Sequence, residues 1–212
     1  MTKPRFRGVS HQYAFFVSAL AGILLVASAP TAHAALAAGI YAVSVSLMLG
    51  TSTLYHRVRW SPRAVGRMAR LDYSMICVSI AGSYTPIALL LLDESSSVKL
   101  MYLVWGAALV VVAIKATWSS APNWIRVAFY IALGSVGLAF SPEVVASLGG
   151  GGSVLLGLSC VSYVVGGLVY ALKRPDPYPT VFGYHEVFHA LVIVGAATHF
   201  ALIAIYVMPR AV

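Results

Sequence analysis

The sequence predicts an all-α membrane protein, a bundle of seven transmembrane helices. Three observations carry this prediction. Apolar residues make up 60% of the 212-residue chain and charged residues only 9%, against about 45–50% and about 25% in a soluble domain. The mean hydropathy is +0.87. The apolar residues also fall in runs long enough to cross a hydrocarbon core, which takes about 20 helical residues. So little polar surface cannot coat a water-soluble globule. That excludes a cytosolic enzyme, a nucleic-acid-binding domain and a disordered chain. Seven spans use roughly 140 residues. The remainder serves termini and short loops, so residues 1–212 are expected to form one domain.

The first span is expected at about 13–29, closed by Pro30. Lys3, Arg5 and Arg7 precede it like the basic flank of a signal peptide, and Ala-Pro-Thr-Ala-His-Ala ends it with an Ala-x-Ala-like site. A second run at about 34–55 follows within a few residues, and the two pair naturally as a hairpin. The third is expected at about 71–92, with Pro86 predicting a kink that Thr85 or a neighbour would relieve. The fourth lies at about 98–117 and the fifth at about 124–140. The glycines at 149–152 read as a flexible outer linker, since no Lys-Ser/Thr follows to make a phosphate loop. The sixth span is expected at about 153–172 and the seventh at about 185–207.

Charge sets the orientation. Arg57, Arg59, Arg63, Arg67 and Arg70 lie between the second and third runs with no acid among them. Lys115 and Arg126 flank the fourth-to-fifth connection, and Lys173 and Arg174 follow the sixth run. Asp93, Glu94 and Glu143 fall in the alternate connections. Basic loops stay inside, so the N-terminus is expected in the cytoplasm and the C-terminus outside, in a multi-pass protein of the cell membrane. The net charge of +8 then reflects orientation and anionic lipid, not nucleic acid. Cys77 and Cys160 are too few for a disulfide scaffold or a Cys-rich zinc site.

Ionisable groups in membrane helices are rare and default to functional candidates. On this topology His56 ends the second span, Asp72 begins the third, and His185, Glu186 and His189 begin the seventh, all at the cytoplasmic face. Orientation was read without these residues, yet it gathers them. His185 and His189 are four apart, on one helical face, a spacing that suits one metal ion. Ser52 and His56 share that spacing. Three His with an open fourth position describe a catalytic zinc site. Asp72 would bind the metal, hold its water or orient a ligand His. Blander readings stand beside this one: His56 within the basic collar, Asp72 paired with Arg70 or Arg67, and interfacial His bonded to headgroups. Haem is excluded for the i, i+4 pair, because axial ligands approach from opposite sides. Glu186 faces away from the shared face. His199 is about 15 Å further along the helix, too far for the same ion, and reads as an interhelical hydrogen bond. His11 and His33 read as interfacial.

Three segments then resemble a known family. They are Thr51-Ser52-Thr53-Leu54-Tyr55-His56; Leu71-Asp72-Tyr73 running to Ala81-Gly82-Ser83-Tyr84-Thr85-Pro86; and Phe182-Gly183-Tyr184-His185-Glu186-Val187-Phe188-His189 with His199-Phe200. In this order they resemble the hemolysin III family, of the progestin and adipoQ receptor superfamily that includes the adiponectin receptors. The resemblance implies one zinc ion near the cytoplasmic face, held by His56, His185 and His189. It implies Asp72 as the acid contacting zinc-bound water and Ser52 as a polar residue of the same site. One departure is the segment before the first span. The family often carries a Glu-Glu-x-x-Asn-type stretch, and Arg5-Phe6-Arg7-Gly8-Val9-Ser10-His11 stands here, with His11 at the motif's His.

The expected function is a zinc-dependent hydrolase of a lipid amide or ester, with membrane lipid as substrate or ligand. The ceramidase-like activity proposed for relatives points the same way, by resemblance. The alternatives are a receptor or homeostasis protein with structural zinc, and a pore-forming cytolysin.

Overall fold

The structure, a computed structural model, describes residues 4–117 and 122–211. Of the flanking cations named above, Lys3 lies outside the described residues, as does the side chain of Lys115. Among the described residues seven α-helices follow one another: α1 (Val9–Ala27), α2 (Ala32–Arg57), α3 (Pro62–Leu91), α4 (Glu94–Thr117), α5 (Asn123–Gly134), α6 (Ser141–Leu172) and α7 (Tyr184–Leu202). A 3-10 stretch, Val136–Phe140, joins α5 to α6, and Ile203–Val207 continues α7 as a π-helix. Among the described residues there is no strand, only one antiparallel bridge between Tyr178 and Phe182.

Among the described residues, six stretches are long and apolar enough to cross a membrane. One of them, Asn123–Leu172, is 50 residues long. It does not run straight. Val127 Cγ1 lies 3.0 Å from where a Cβ on Gly167 would sit, so the start of α5 lies beside the end of α6. The outward side chains are those of a lipid-facing protein. Phe16, Val17, Leu20 and Ile23 on α1 are each more than 60% exposed.

Several boundaries differ from expectation for physical reasons. α3 starts at Pro62, not near 71, so the arginine-rich segment is helix. Ser61 caps it, its Oγ accepting from Ala64 N at 3.3 Å, and proline is favoured in the first turn. Arg63, Arg67 and Arg70 are therefore on the helix and not in a loop. The glycines at 149–152 are not a flexible linker either. They lie inside α6, which departs from helical geometry only at Gly149 (φ 69°, ψ −175°). Tyr206 packs on them: a Cβ on Gly151 would sit 2.3 Å from its hydroxyl, and one on Gly152 3.2 Å from its ring. Close approach accounts for Gly151 and Gly152, and the left-handed backbone for Gly149. α3 runs on through Pro86 without interruption. Thr85 Oγ1 donates to Ala81 O at 3.1 Å and accepts from Trp105 Nε1 at 3.3 Å.

α3 is the hub, packing on α2, α4, α5 and α6, while α7 packs on α6 and touches α1. Without a hydrophobic force between helices in lipid, close packing through small residues must hold the seams. Ala34, Ala37 and Ala38 of α2 are fully buried. At the α1–α2 seam a Cβ on Gly22 would lie 2.6 Å from that of Ala42. At the α2–α3 seam a Cβ on Gly82 would lie 2.5 Å from Ser44 Cβ and 1.9 Å from its Oγ. At the far end Asp93 caps α4: its Oδ1 accepts from Ser95 N at 2.9 Å and Ser96 N at 3.1 Å. Hydrogen bonds from Ser96 and Ser95 hold this carboxyl below the usual range.

These seams predict a contrast. Gly82→Ala should destabilise the protein by about 1–3 kcal/mol through overpacking. Gly106→Ala, with nothing within 4 Å of the new methyl, should be neutral or stabilising by up to about 1 kcal/mol. Thermal unfolding of both variants in detergent checks this, and equal melting temperatures would refute the seam.

Candidate metal centre

The site is built at one end of the bundle, where α1, α2 and α7 meet. α7 starts there because its exposed backbone donors find partners. Glu186 Oε2 accepts from Gly183 N at 2.8 Å, and Asp176 Oδ1 accepts from Tyr184 N at 2.8 Å. Both carboxylates sit at the positive end of the helix dipole. Starting the helix at Tyr184 places His185 and His189 on its inner face, one turn apart.

His56 comes from the last turn of α2. Its Nε2 lies 3.1 Å from Nε2 of His185. The ring centroids of His185 and His189 are 4.5 Å apart, and those of His56 and His189 are 5.2 Å apart. One nitrogen from each of the three falls within 4.8 Å of the others, and all three residues are buried. Tetrahedral nitrogen ligands on zinc stand roughly 3.3 Å from one another at bond lengths of about 2.0–2.1 Å, so the His56–His185 pair is already at that spacing. His189 Nδ1 is buried without a hydrogen-bond partner, an uncommon cost in a folded protein. Three buried imidazoles in such an arrangement could hold a metal ion, and imidazole suits zinc, copper, iron or nickel.

Asp72 and Ser52 are buried at 7% and 3% exposure. Both line a cavity of about 310 Å³ together with His185 and His189. The cavity runs on between apolar side chains such as Met48, Ile76 and Leu156, and reaches His199. Of the five predicted site residues, the three histidines form one buried cluster, and Asp72 and Ser52 share a cavity with two of them.

Glu186 turns away from the triad, as its position between the two His implies. It is 2% exposed, and its Oε1 accepts from Arg7 Nε. His199 stays apart from the triad, with Nε2 3.2 Å from Ser83 O and Nδ1 3.5 Å from Ser159 Oγ. This is the interhelical hydrogen bond expected of it. His33 is exposed at the opposite end, its Nε2 3.2 Å from Leu89 O.

His11 corrects its sequence reading. It is not interfacial but 2% exposed, stacked on His189 with ring centroids 3.7 Å apart and planes at 7°. Two cations read only as orientation signals also belong to the site. Arg7 pairs with Glu186, and Arg126 lies over the Tyr73 ring at 4.3 Å and lines the cavity. A hint of this was in the sequence for Arg126, which stands inside the fifth apolar run and not before it.

Comparison with known proteins agrees with the residues. The model of the family described as "Haemolysin-III related" matches residues 1–200. "Hemolysin-3" of Bacillus cereus is 28% identical over 206 residues, 96% of this chain and 91% of that protein. "Hemolysin-3 homolog" of Bacillus subtilis (strain 168) is 29% identical over 167 residues, 79% of this chain and 75% of that one. "Adiponectin receptor protein" of Drosophila melanogaster is 28% identical over 184 residues, covering 76% of this chain and 40% of the receptor. A match over nearly the whole length, joined to the apolar helices and the buried histidines, makes this multi-pass membrane protein a member of the haemolysin-III-related family.

Proposed function

We propose that this chain is a zinc-dependent hydrolase of a lipid amide or ester, acting within the membrane near its cytoplasmic face. The observation that supports it best is that His185, His189, Asp72 and Ser52 line one cavity with otherwise largely apolar walls, with His56 completing the buried cluster against His185. Three His ligands leave a fourth position for a reactant. Zinc bound there supplies a Lewis acid for the carbonyl and a water made nucleophilic near neutral pH. The rest falls to the chain. Asp72 accepts the proton from the attacking water and returns it to the leaving group, the ordinary work of a general base and acid. Ser52, one turn before His56, donates its hydroxyl to the oxygen that gains charge. Apolar walls with polar groups at one end fit an amphiphile whose amide or ester lies at that end.

A second reading is a receptor in which zinc is structural. The observation that favours it is that the triad joins α2 to α7, so one ion would pin two helices distant in sequence.

The orientation belongs to this reading. We take Asn123–Leu172 as two crossings. Asn123–Gly134 and Val136–Phe140 together rise about 28 Å at about 1.5 Å per α-helical and 2.0 Å per 3-10 residue, close to the roughly 30 Å core. That makes seven spans, with the arginine-rich end in the cytoplasm. Reporter fusions after residue 59 and at the C-terminus should then report opposite sides. The same side for both would leave an even number of crossings between them and refute the seven-span count.

For the metal, purified protein should hold about one zinc per chain. His189→Ala should bind it more weakly by orders of magnitude, because two ligands remain where three are needed. Elemental analysis showing full zinc in His189→Ala would take this residue out of the ligand set.

Asp72→Asn separates enzyme from structural site. Asn keeps the size and one acceptor but cannot take a proton. At saturating zinc the variant should stay loaded, with affinity lowered by roughly 10–100-fold, and lose lipid-amide turnover by about 100-fold or more. Zinc content, melting temperature and turnover are to be measured on one preparation. Full turnover in the variant would end the hydrolytic role of Asp72. Wild-type protein with zinc and no turnover, destabilised on chelation, would establish the structural reading instead.

A further inference from the structure

We infer that His11 is a positioning residue of the metal centre: stacked face to face on His189, it fixes the plane in which that imidazole meets the other two. The inference rests on reading the triad as a metal site.

The stack is held from outside. Parallel rings with centroids 3.7 Å apart are closer and less offset than aromatic pairs prefer when left to themselves. The preceding residues impose the arrangement. Arg5 N donates to Thr180 O at 3.0 Å and Phe6 N to Val181 O at 3.1 Å, so the N-terminal segment is tied to the loop that leads into α7. Arg7 pairs with Glu186 in the first turn of α7. Gly8 has φ +77°, a conformation that favours glycine, and a Cβ there would lie 2.6 Å from that of His56. The chain thus passes closely over His56 and delivers the His11 ring onto His189.

His11 is not itself a ligand to the same ion. A metal bound to His189 lies in the plane of that ring. The His11 ring runs nearly parallel to it, displaced by about the stacking distance, so its nitrogens stay well beyond the roughly 2.0–2.1 Å of a zinc–nitrogen bond. Beside the stack, a His11 ring nitrogen approaches the His189 backbone, a contact that a nitrogen-free ring would remove while keeping the face. What His11 offers is a flat face. Metal-bound histidines are usually oriented by a hydrogen bond to the other ring nitrogen. For His189 the contact that fixes the ring plane is the parallel face of His11. The stack does that orienting work instead.

The test uses cobalt(II) in place of zinc, because its visible absorption bands report ligand geometry. The full-length chain is purified in detergent, stripped by chelation and titrated with cobalt as wild type, His11→Phe, His11→Leu and His189→Ala. Phenylalanine keeps a flat ring without nitrogen; leucine fills space without a face. His11→Phe should keep the wild-type affinity and spectrum. His11→Leu should bind roughly 10–100-fold more weakly, with displaced bands. Wild-type affinity and spectrum in His11→Leu would overturn the inference. So would a loss in a folded His11→Phe as large as in His11→Leu, which would make the nitrogens the agent. If His11→Leu fails to fold, His11→Phe decides alone: retention supports the stack and loss overturns it. A wild type that binds no cobalt, or a His189→Ala that binds as well, would instead bring down the metal reading, and this inference with it.

Discussion

A carboxylate buried in the first turn of α7 links the two parts of the chain that make the site. Glu186 accepts from Gly183 N through one oxygen and from Arg7 through the other. The first contact starts the helix and so decides which residues face inward. The second holds the N-terminal segment against that same turn. Removing one member of a buried pair leaves a charge without compensation, typically at a cost of about 3–5 kcal/mol. The Glu186 carboxylate is engaged by Gly183 and Arg7, and the register of His185 and His189 and the seat of His11 both follow from it.

The bundle around this turn depends on how closely backbones approach. α2 meets α1 and α3 across Gly22, Ala42, Ser44 and Gly82. α6 meets α7 where Gly166 faces Leu191 and Gly195 faces Tyr163. Small residues there bring the last turn of α2, the third turn of α3 and the first turn of α7 to one depth, as a site fed by three helices requires. The cavity opens where larger spacing remains, between α3, α5, α6 and α7.

Much of this was legible in the sequence, and the physics says which part. Long apolar runs announce membrane helices because lipid tolerates little else. His56, Asp72, His185 and His189 stood out because ionisable groups are costly in a membrane, and orientation alone put them at one face. Three features were not legible. The helical start of α3 at Pro62 was hidden because arginines between apolar runs look like loop, although Ser61-Pro62 is a helix-start signal. The glycines at 149–152 were read by composition, whereas Tyr206, which packs on Gly151 and Gly152, lies far along the chain. His11 was read by its position before the first apolar run. Its burial depends on α1 starting at Val9 and on a left-handed turn at Gly8, and neither leaves a hydrophobic pattern.

That last feature joins orientation to chemistry. Arg5 and Arg7 are the kind of charge that keeps a terminus in the cytoplasm. Here Arg7 also closes the contact with Glu186, and the backbone at Arg5 and Phe6 pairs with the loop before α7. The same segment therefore carries two cations and the contacts with His56 and His189. Because α1 begins directly after it, α1 cannot enter the membrane at a different depth without pulling His11 from His189. The N-terminal segment is short, yet it fixes the depth of α1, the covering of His56 and the stack on His189 by one set of contacts. The segment carries no acid of its own, and the anion that holds Arg7 is supplied by α7.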